Sequence, residues 1–217
     1  MSLDKPFNQM NNNKPDILLE LQTVNIDELE KEVDKLTDTE WGEWGWRQFV
    51  SRFPHGHTNS YPFIWSQDPV NNVINISKYN QRTKIWRLVK GAIDCISKKY
   101  NGRIVKCMLV KLPSRTKISN HVDNQFSLVN SHRFHLPIKT NSDIIFYIDS
   151  LPYYFKREQW YEINNQLPHA VENNSDNDRV HLIVDIMPFS IARLSNLKFK
   201  YVNSKKPFVI DLSKNTV

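Results

Sequence analysis

The chain has 217 residues, 40% hydrophobic and 12% aromatic, with a formal net charge of +6. That length and apolar content suit one domain with a real core and exclude a chain disordered throughout. Two cysteines, Cys95 and Cys107, are too few for a disulfide framework or a four-cysteine zinc site, and the five glycines form neither a dinucleotide fingerprint nor a P-loop.

In chain order, residues 1–16 are rich in Asn, Lys and Pro and read as a mobile tail. They carry no secretory leader pattern, and no apolar run is long enough to span a membrane, so a cytosolic (cytoplasmic) protein is expected. Residues 17–102 read as a mainly helical part. A first helix is signalled by Asn25 with Glu28 in a capping-box spacing, then by Ile26, Leu29, Val33 and Leu36 on one face. Three tryptophans follow, Trp41, Trp44 and Trp46, read as packing where the helices meet the sheet. His55 and His57 form an H-x-H pair between two prolines, read as part of a lid rather than a ligand pair. Residues 60–66 and 73–77 have the composition of short strands. A second helix is expected from about Asn80 to Tyr100, with Ile85, Leu88, Val89, Ala92, Ile93 and Ile96 on one stripe and Asn101-Gly102 as its stop.

From residue 103 to 190 the pattern changes to strands: Ile104–Leu112, Arg133–Ile138, Asp143–Asp149, Glu158–Ile163 and Arg179–Met187. The last alternates, with Val180, Leu182, Val184 and Ile186 on one face and Arg179, His181, Ile183 and Asp185 on the other. Residues 191–217 are a C-terminal extension with a further strand at Phe208–Leu212. Its loose basic cluster (Arg193, Lys198, Lys200, Lys205, Lys206) reads as a solvated face rather than a nucleic-acid site. Helices first, then short strands without intervening helices, predict an antiparallel sandwich or barrel with helices packed outside.

The chemistry concentrates between His121 and Arg179. His121, Asp123 and His169, in H-x-D…H order, match two imidazoles and one carboxylate on three corners of an octahedral Fe(II). Catalytic zinc also accepts three protein ligands plus water. Arg179, ten residues after His169, favours iron: a cosubstrate chelating the metal through a carboxylate and a keto oxygen has a second carboxylate for a guanidinium to hold. Arg133 and His135 show the same alternation, placing further basic groups toward one interior. The expected activity is that of a dioxygenase using Fe(II), 2-oxoglutarate and O2. A zinc-dependent hydrolase, or a non-catalytic or zinc-binding module using the same ligands, is the alternative. His132 and His181 are read as ordinary core or surface histidines, and Glu172 and Asn173 as candidate supports for the ligands.

His121-Val-Asp123, Arg133-Phe-His135-Leu-Pro137-Ile, Leu-Pro-His169-Ala-Val-Glu-Asn173 and Arg179-Val-His-Leu-Ile-Val-Asp185 together resemble the aspartyl/asparaginyl β-hydroxylase family, and free-proline hydroxylases are also similar. The resemblance covers about residues 104–188. It implies a double-stranded β-helix (a jelly-roll, cupin-like barrel) and Fe(II) at His121, Asp123 and His169. It also implies 2-oxoglutarate held by Arg179, with His135 near its other end. Residues 160–165, Trp-Tyr-Glu-Ile-Asn-Asn, depart from the peptide-modifying branch, so the substrate is not carried over. The resulting expectation is hydroxylation of an amino-acid side chain, in a protein or peptide or as the free amino acid, with Arg133 and Arg115 as spare cations for a carboxylate-bearing substrate. No membrane partner is expected, and the oligomeric state is left open.

Overall fold

A computed structural model describes residues 14–42, 56–68 and 73–203. Trp44, Trp46, His55 and the expected strand at 208–212 lie outside the described residues. The first part of the chain supplies β1 (Leu18–Thr23), α1 (Asp27–Val33), α2 (Asp38–Gly42), β2 (Asn59–Asp68), β3 (Val73–Ser77) and α3 (Lys84–Tyr100). Then come β4 (Gly102–Leu112), β5 (Lys117–His121), α4 (Phe126–Val129), β6 (His132–Lys139), β7 (Ile144–Ile148) and β8 (Leu151–Tyr153). The remainder is β9 (Gln159–Ile163), β10 (His169–Asn173), β11 (Arg179–Pro188), α5 (Phe189–Leu194) and β12 (Lys198–Val202).

The strands form an eight-stranded sheet, β1-β9-β6-β11-β4-β2-β3-β12, and a four-stranded sheet, β5-β10-β7-β8. This is the double-stranded β-helix in jelly-roll form, with helices against one outer face. The N-terminal part does more than cover the barrel, because β1, β2 and β3 are strands of the large sheet. β12, which sequence composition showed only as a basic cluster, pairs parallel with β3 and closes that edge. No helix among the described residues is long and apolar enough to cross a membrane.

The period-two alternation of the central strands sorts their side chains between two environments. Val105, Cys107 and Leu109 of β4, Phe134, Leu136 and Ile138 of β6, and Val180, Leu182, Val184 and Ile186 of β11 join one core. Ile85, Val89, Ala92, Ile93 and Ile96 of α3 pack into that same core. Each such large aliphatic side chain taken from water contributes on the order of 1.5–3 kcal/mol. Trp41 belongs to this core as well, with the Lys111 ammonium 5.2 Å from its ring. The tryptophan of α2 therefore packs, as its large apolar area favours.

α3 begins later than the sequence pattern implied. Residues 80–82 form a 3₁₀ turn, and Thr83 caps α3 by accepting a hydrogen bond from the Trp86 amide (3.2 Å). Its end falls where expected, on left-handed Asn101. Asn25 does not make the expected capping box. It accepts instead from the Asp27 amide (3.2 Å), two residues on, with Ile26 at the cap position.

Candidate metal centre and anion pocket

The opposite faces of β4, β6 and β11 look into a cavity of about 300 Å³ between the two sheets. His121, Asp123, Arg133, His135, His169 and Arg179 all line it. His121 ends β5 and stands directly across from His169, the first residue of β10, in the antiparallel register. Their ring centroids are 4.2 Å apart. Asp123 lies two residues past the end of β5, so a loop carries it rather than the strand face its spacing implied. One ligand atom from each of His121, Asp123 and His169 lies within 4.8 Å of the others.

Hydrogen bonding selects the tautomer of both imidazoles. His121 Nδ1 lies 2.8 Å from the Ser119 carbonyl, and His169 Nδ1 lies 2.9 Å from the Leu167 carbonyl. A carbonyl only accepts, so each Nδ1 carries a proton, and in the neutral ring Nε2 then presents its lone pair, the form that ligates metal. Burial pulls the His169 imidazolium down to about 4, which keeps it neutral near neutral pH.

Asp123 is held from three sides. Arg133 and Asn165 (3.0 Å) both donate to Oδ2, which leaves Oδ1 without a hydrogen bond among the described residues. Gln166 donates to the Asp123 backbone carbonyl (2.7 Å), and the Asp123 amide donates to the Asn165 carbonyl (3.2 Å). Burial alone would push this carboxyl up; the charges of Arg133 and Lys106 outweigh it and hold the group well below the usual carboxylate range. An ionised oxygen facing two imidazoles is a donor set that fits Fe(II) or zinc.

Arg133 does not stand spare. Its guanidinium is engaged by Asp123 and, through Nε (2.8 Å) and Nη2 (2.7 Å), by both oxygens of Asp185. Lys106 adds a second cation 3.7 Å from Asp185. The register places Asp185 opposite Arg133 across β11 and β6, so the guanidinium finds a carboxylate before any ligand enters. Arg115 is also not in the interior; it forms an exposed pair with Asp176.

Arg179 is the contrasting case. It is 1% exposed, and no carboxylate among the described residues pairs with it. Its Nη2 donates to His181 Nδ1 (2.7 Å), and its guanidinium lies 6.0 Å from the Phe146 ring centroid. Burial alone lowers its pKa to about 9. His135 Nδ1 lies 3.4 Å from His181 Nδ1, and burial followed by the Arg179 charge holds both rings well below the usual histidine value. Arg179 Nε, His135 Nε2 and His181 Nε2 are buried and find no hydrogen-bond partner among the described residues. Since His181 Nδ1 accepts from Arg179, its Nε2 carries a proton. A buried guanidinium and unsatisfied N–H groups beside the histidine pair fit an incoming carboxylate.

His181, read from sequence as an ordinary core or surface residue, therefore belongs to this cluster. Its position two residues from Arg179 on the same strand face was the signal. His132 is on the other side of the sheet, its Nδ1 2.5 Å from Glu162. His57 is exposed and does not line the cavity. Asn173 holds the β10–β11 turn, donating to the Leu112, Pro113 and Asn177 carbonyls, and Glu172 meets Tyr147; neither touches the triad. The histidine supports are backbone carbonyls, and the carboxylate supports are Arg133, Asn165 and Gln166.

The family model for aspartyl/asparaginyl β-hydroxylase matches residues 11–188, and the chain belongs to that family. The match starts well before residue 104, in keeping with the strands that β1, β2 and β3 contribute to the main sheet. Among solved structures, the chain is similar to a 2OG-Fe(II) oxygenase family oxidoreductase from Burkholderia pseudomallei (10% identity, TM-score 0.43, 60% of this chain and 66% of that one). It is also similar to the Cnp3 cupin domain of Schizosaccharomyces pombe (5%, 0.34, 42% and 62%) and a cupin domain from Bordetella pertussis (17%, 0.32, 39% and 82%). No curated protein matches the sequence.

Proposed function

We propose that this member of the aspartyl/asparaginyl β-hydroxylase family is an Fe(II)- and 2-oxoglutarate-dependent dioxygenase acting on an amino-acid side chain, in a protein or peptide or as the free amino acid. The observation that carries the reading is the pairing, in one cavity, of the His121/Asp123/His169 cluster with a buried Arg179 that has no counter-anion among the described residues. When bound, iron and 2-oxoglutarate supply the oxidation: O2 is consumed, the 2-oxo acid becomes succinate and CO2, and one oxygen atom enters a C–H bond of the substrate.

The residues of the chain bind and orient. His121, Asp123 and His169 would hold the metal, with positions left for the cosubstrate and O2. Arg179 would take the distal carboxylate of the cosubstrate, a charge-assisted contact strengthened by exclusion of water. His135 would stand beside that contact, with its ring held by His181, Phe146 and Phe155. Trp65, Met108, Val110 and Ile183 form an apolar wall of the cavity, which suits the hydrocarbon part of a side chain, with Lys106 as the polar group at its edge.

Anaerobic titration with Fe(II) and 2-oxoglutarate tests the reading through the weak visible metal-to-ligand charge-transfer band. The band is expected in the wild type and absent in His169→Ala and in Arg179→Ala. Tight zinc binding with no such band would overturn the oxygenase reading in favour of a zinc site built from the same ligands.

A further inference from the structure

We propose that Lys14, from the segment preceding β1, is a positioning residue for the Asp123 carboxylate and acts through the side-chain amide of Asn165. Lys14 Nζ donates to Asn165 Oδ1 (2.6 Å) and to the Leu128 carbonyl (3.1 Å). Asn165, 0% exposed, donates from Nδ2 to Asp123 Oδ2 (3.0 Å) and to the same Leu128 carbonyl (3.2 Å). The segment is stitched down beside this contact, since Asn164 donates from its amide to the Ile17 carbonyl (2.8 Å) and from its side chain to the Asp16 carbonyl (3.3 Å).

The chemistry of these groups admits one arrangement. A side-chain amide has two faces, one donating and one accepting, and can rotate to exchange them. An ammonium only donates, whereas a carboxylate and a carbonyl only accept. With Lys14 on one side and Asp123 on the other, Asn165 is compelled to point Oδ1 at the lysine and Nδ2 at the carboxylate. Nδ2 and Arg133 then both hold Oδ2, and Oδ1 is the oxygen left for a metal. Without the ammonium, Asn165 Oδ1 becomes a buried acceptor with no donor, and a rotated amide would set that oxygen against Asp123. Lys14 makes no hydrogen bond to either histidine ligand or to the carboxylate itself; its hydrogen-bonded path to the site runs through one amide 151 positions along the chain.

The inference rests on the reading of His121, Asp123 and His169 as a metal site, and on neither the metal nor the cosubstrate. It is tested on the full chain with cobalt(II) alone, without 2-oxoglutarate, following the visible d–d absorption. Supporting contacts of this kind change metal affinity by about 10–100-fold. Lys14→Met is expected to weaken Co(II) binding about 10-fold and to alter the absorption envelope, and Lys14→Arg, which keeps a donor, to recover most of the affinity. Asn165→Ala is expected to weaken binding comparably. The double variant Lys14→Met/Asn165→Ala should be no weaker than Asn165→Ala alone, because the two residues act in series.

Wild-type affinity and spectrum in Lys14→Met, or penalties that add in the double variant, would overturn the proposal. Should Lys14→Met fail to fold, Lys14→Arg and Lys14→Gln supply the comparison: both retain a donor, and if both bind as weakly as Asn165→Ala the proposal is equally overturned. His169→Ala separates the two levels. Undiminished Co(II) binding in His169→Ala would sink the metal-site reading itself, whereas loss there with no effect in Lys14→Met sinks only the role of Lys14.

Discussion

Replacing Arg179 with methionine should move folding stability and cosubstrate binding in opposite directions. The guanidinium is 1% exposed with no carboxylate among the described residues, and burial lowers its pKa from 12.5 to about 9. At about 1.4 kcal/mol per pH unit, that fall corresponds to on the order of 5 kcal/mol of strain on the charged form. Methionine keeps an unbranched apolar stem and removes the charge, but it leaves His181 Nδ1 without the donor now 2.7 Å away, at a cost of roughly 1–3 kcal/mol. The ligand-free variant should therefore be more stable than wild type by about 2–4 kcal/mol. With ~2–4 °C per kcal/mol for a chain of this size, its unfolding midpoint should rise by about 4–16 °C. Urea and thermal unfolding of ligand-free protein at pH 7 measure the first effect, and 2-oxoglutarate titration in the presence of metal measures the second. A ligand-free Arg179→Met protein less stable than wild type would refute the reasoning, since it would mean that the guanidinium already has its counter-anion.

Two further expectations follow from burial elsewhere. His135, His169 and His181 all have pKa values depressed below the ordinary 6.5, mainly by burial, with Arg179 facing His135 and His181, and Arg133 facing His135 and His169. The unfolded chain therefore takes up protons first as pH falls, and each histidine removes about 1.4 kcal/mol of stability per pH unit below about 6.5. Unfolding midpoints of the metal-free protein should drop between pH 6.5 and 5, with a slope about one third smaller in His181→Gln; a flat profile would contradict the assignment of neutral buried imidazoles. At Gly102, an added Cβ would come within 2.5 Å of the Met187 carbonyl oxygen and 2.7 Å of Ile186 Cγ2. Gly102→Ala should cost about 1–3 kcal/mol of stability by overpacking the start of β4, read as a lower thermal midpoint. An unchanged midpoint would show that β11 yields at that point.

Local pattern alone was enough for the helix stripe of α3, the strand runs of β4 and β11, the alternation of β11, and the H-x-D…H set with an arginine ten residues on. Those signals lie within single elements, where the period of the backbone dictates which side chains share a face. Alternation marked Arg133, His135 and Arg179 as facing one interior, but it carried no information about what each would meet there. Register decided that. Asp185 lands opposite Arg133 across two strands and neutralises it, while Arg179, six residues earlier on the same strand, meets the His181 and Phe146 rings and no carboxylate among the described residues. The supports of Asp123 were less legible still, because Asn165 comes from the turn before β10 and Lys14 from ahead of β1, with nothing periodic to tie them to residue 123. Sequence by itself determined the class of fold and the ligand types, since both follow from local periodicity and side-chain chemistry. Only the tertiary structure decided which cation meets a carboxylate, which meets none among the described residues, and which oxygen of Asp123 is held by Arg133 and Asn165, because those depend on contacts between segments that the chain order leaves far apart.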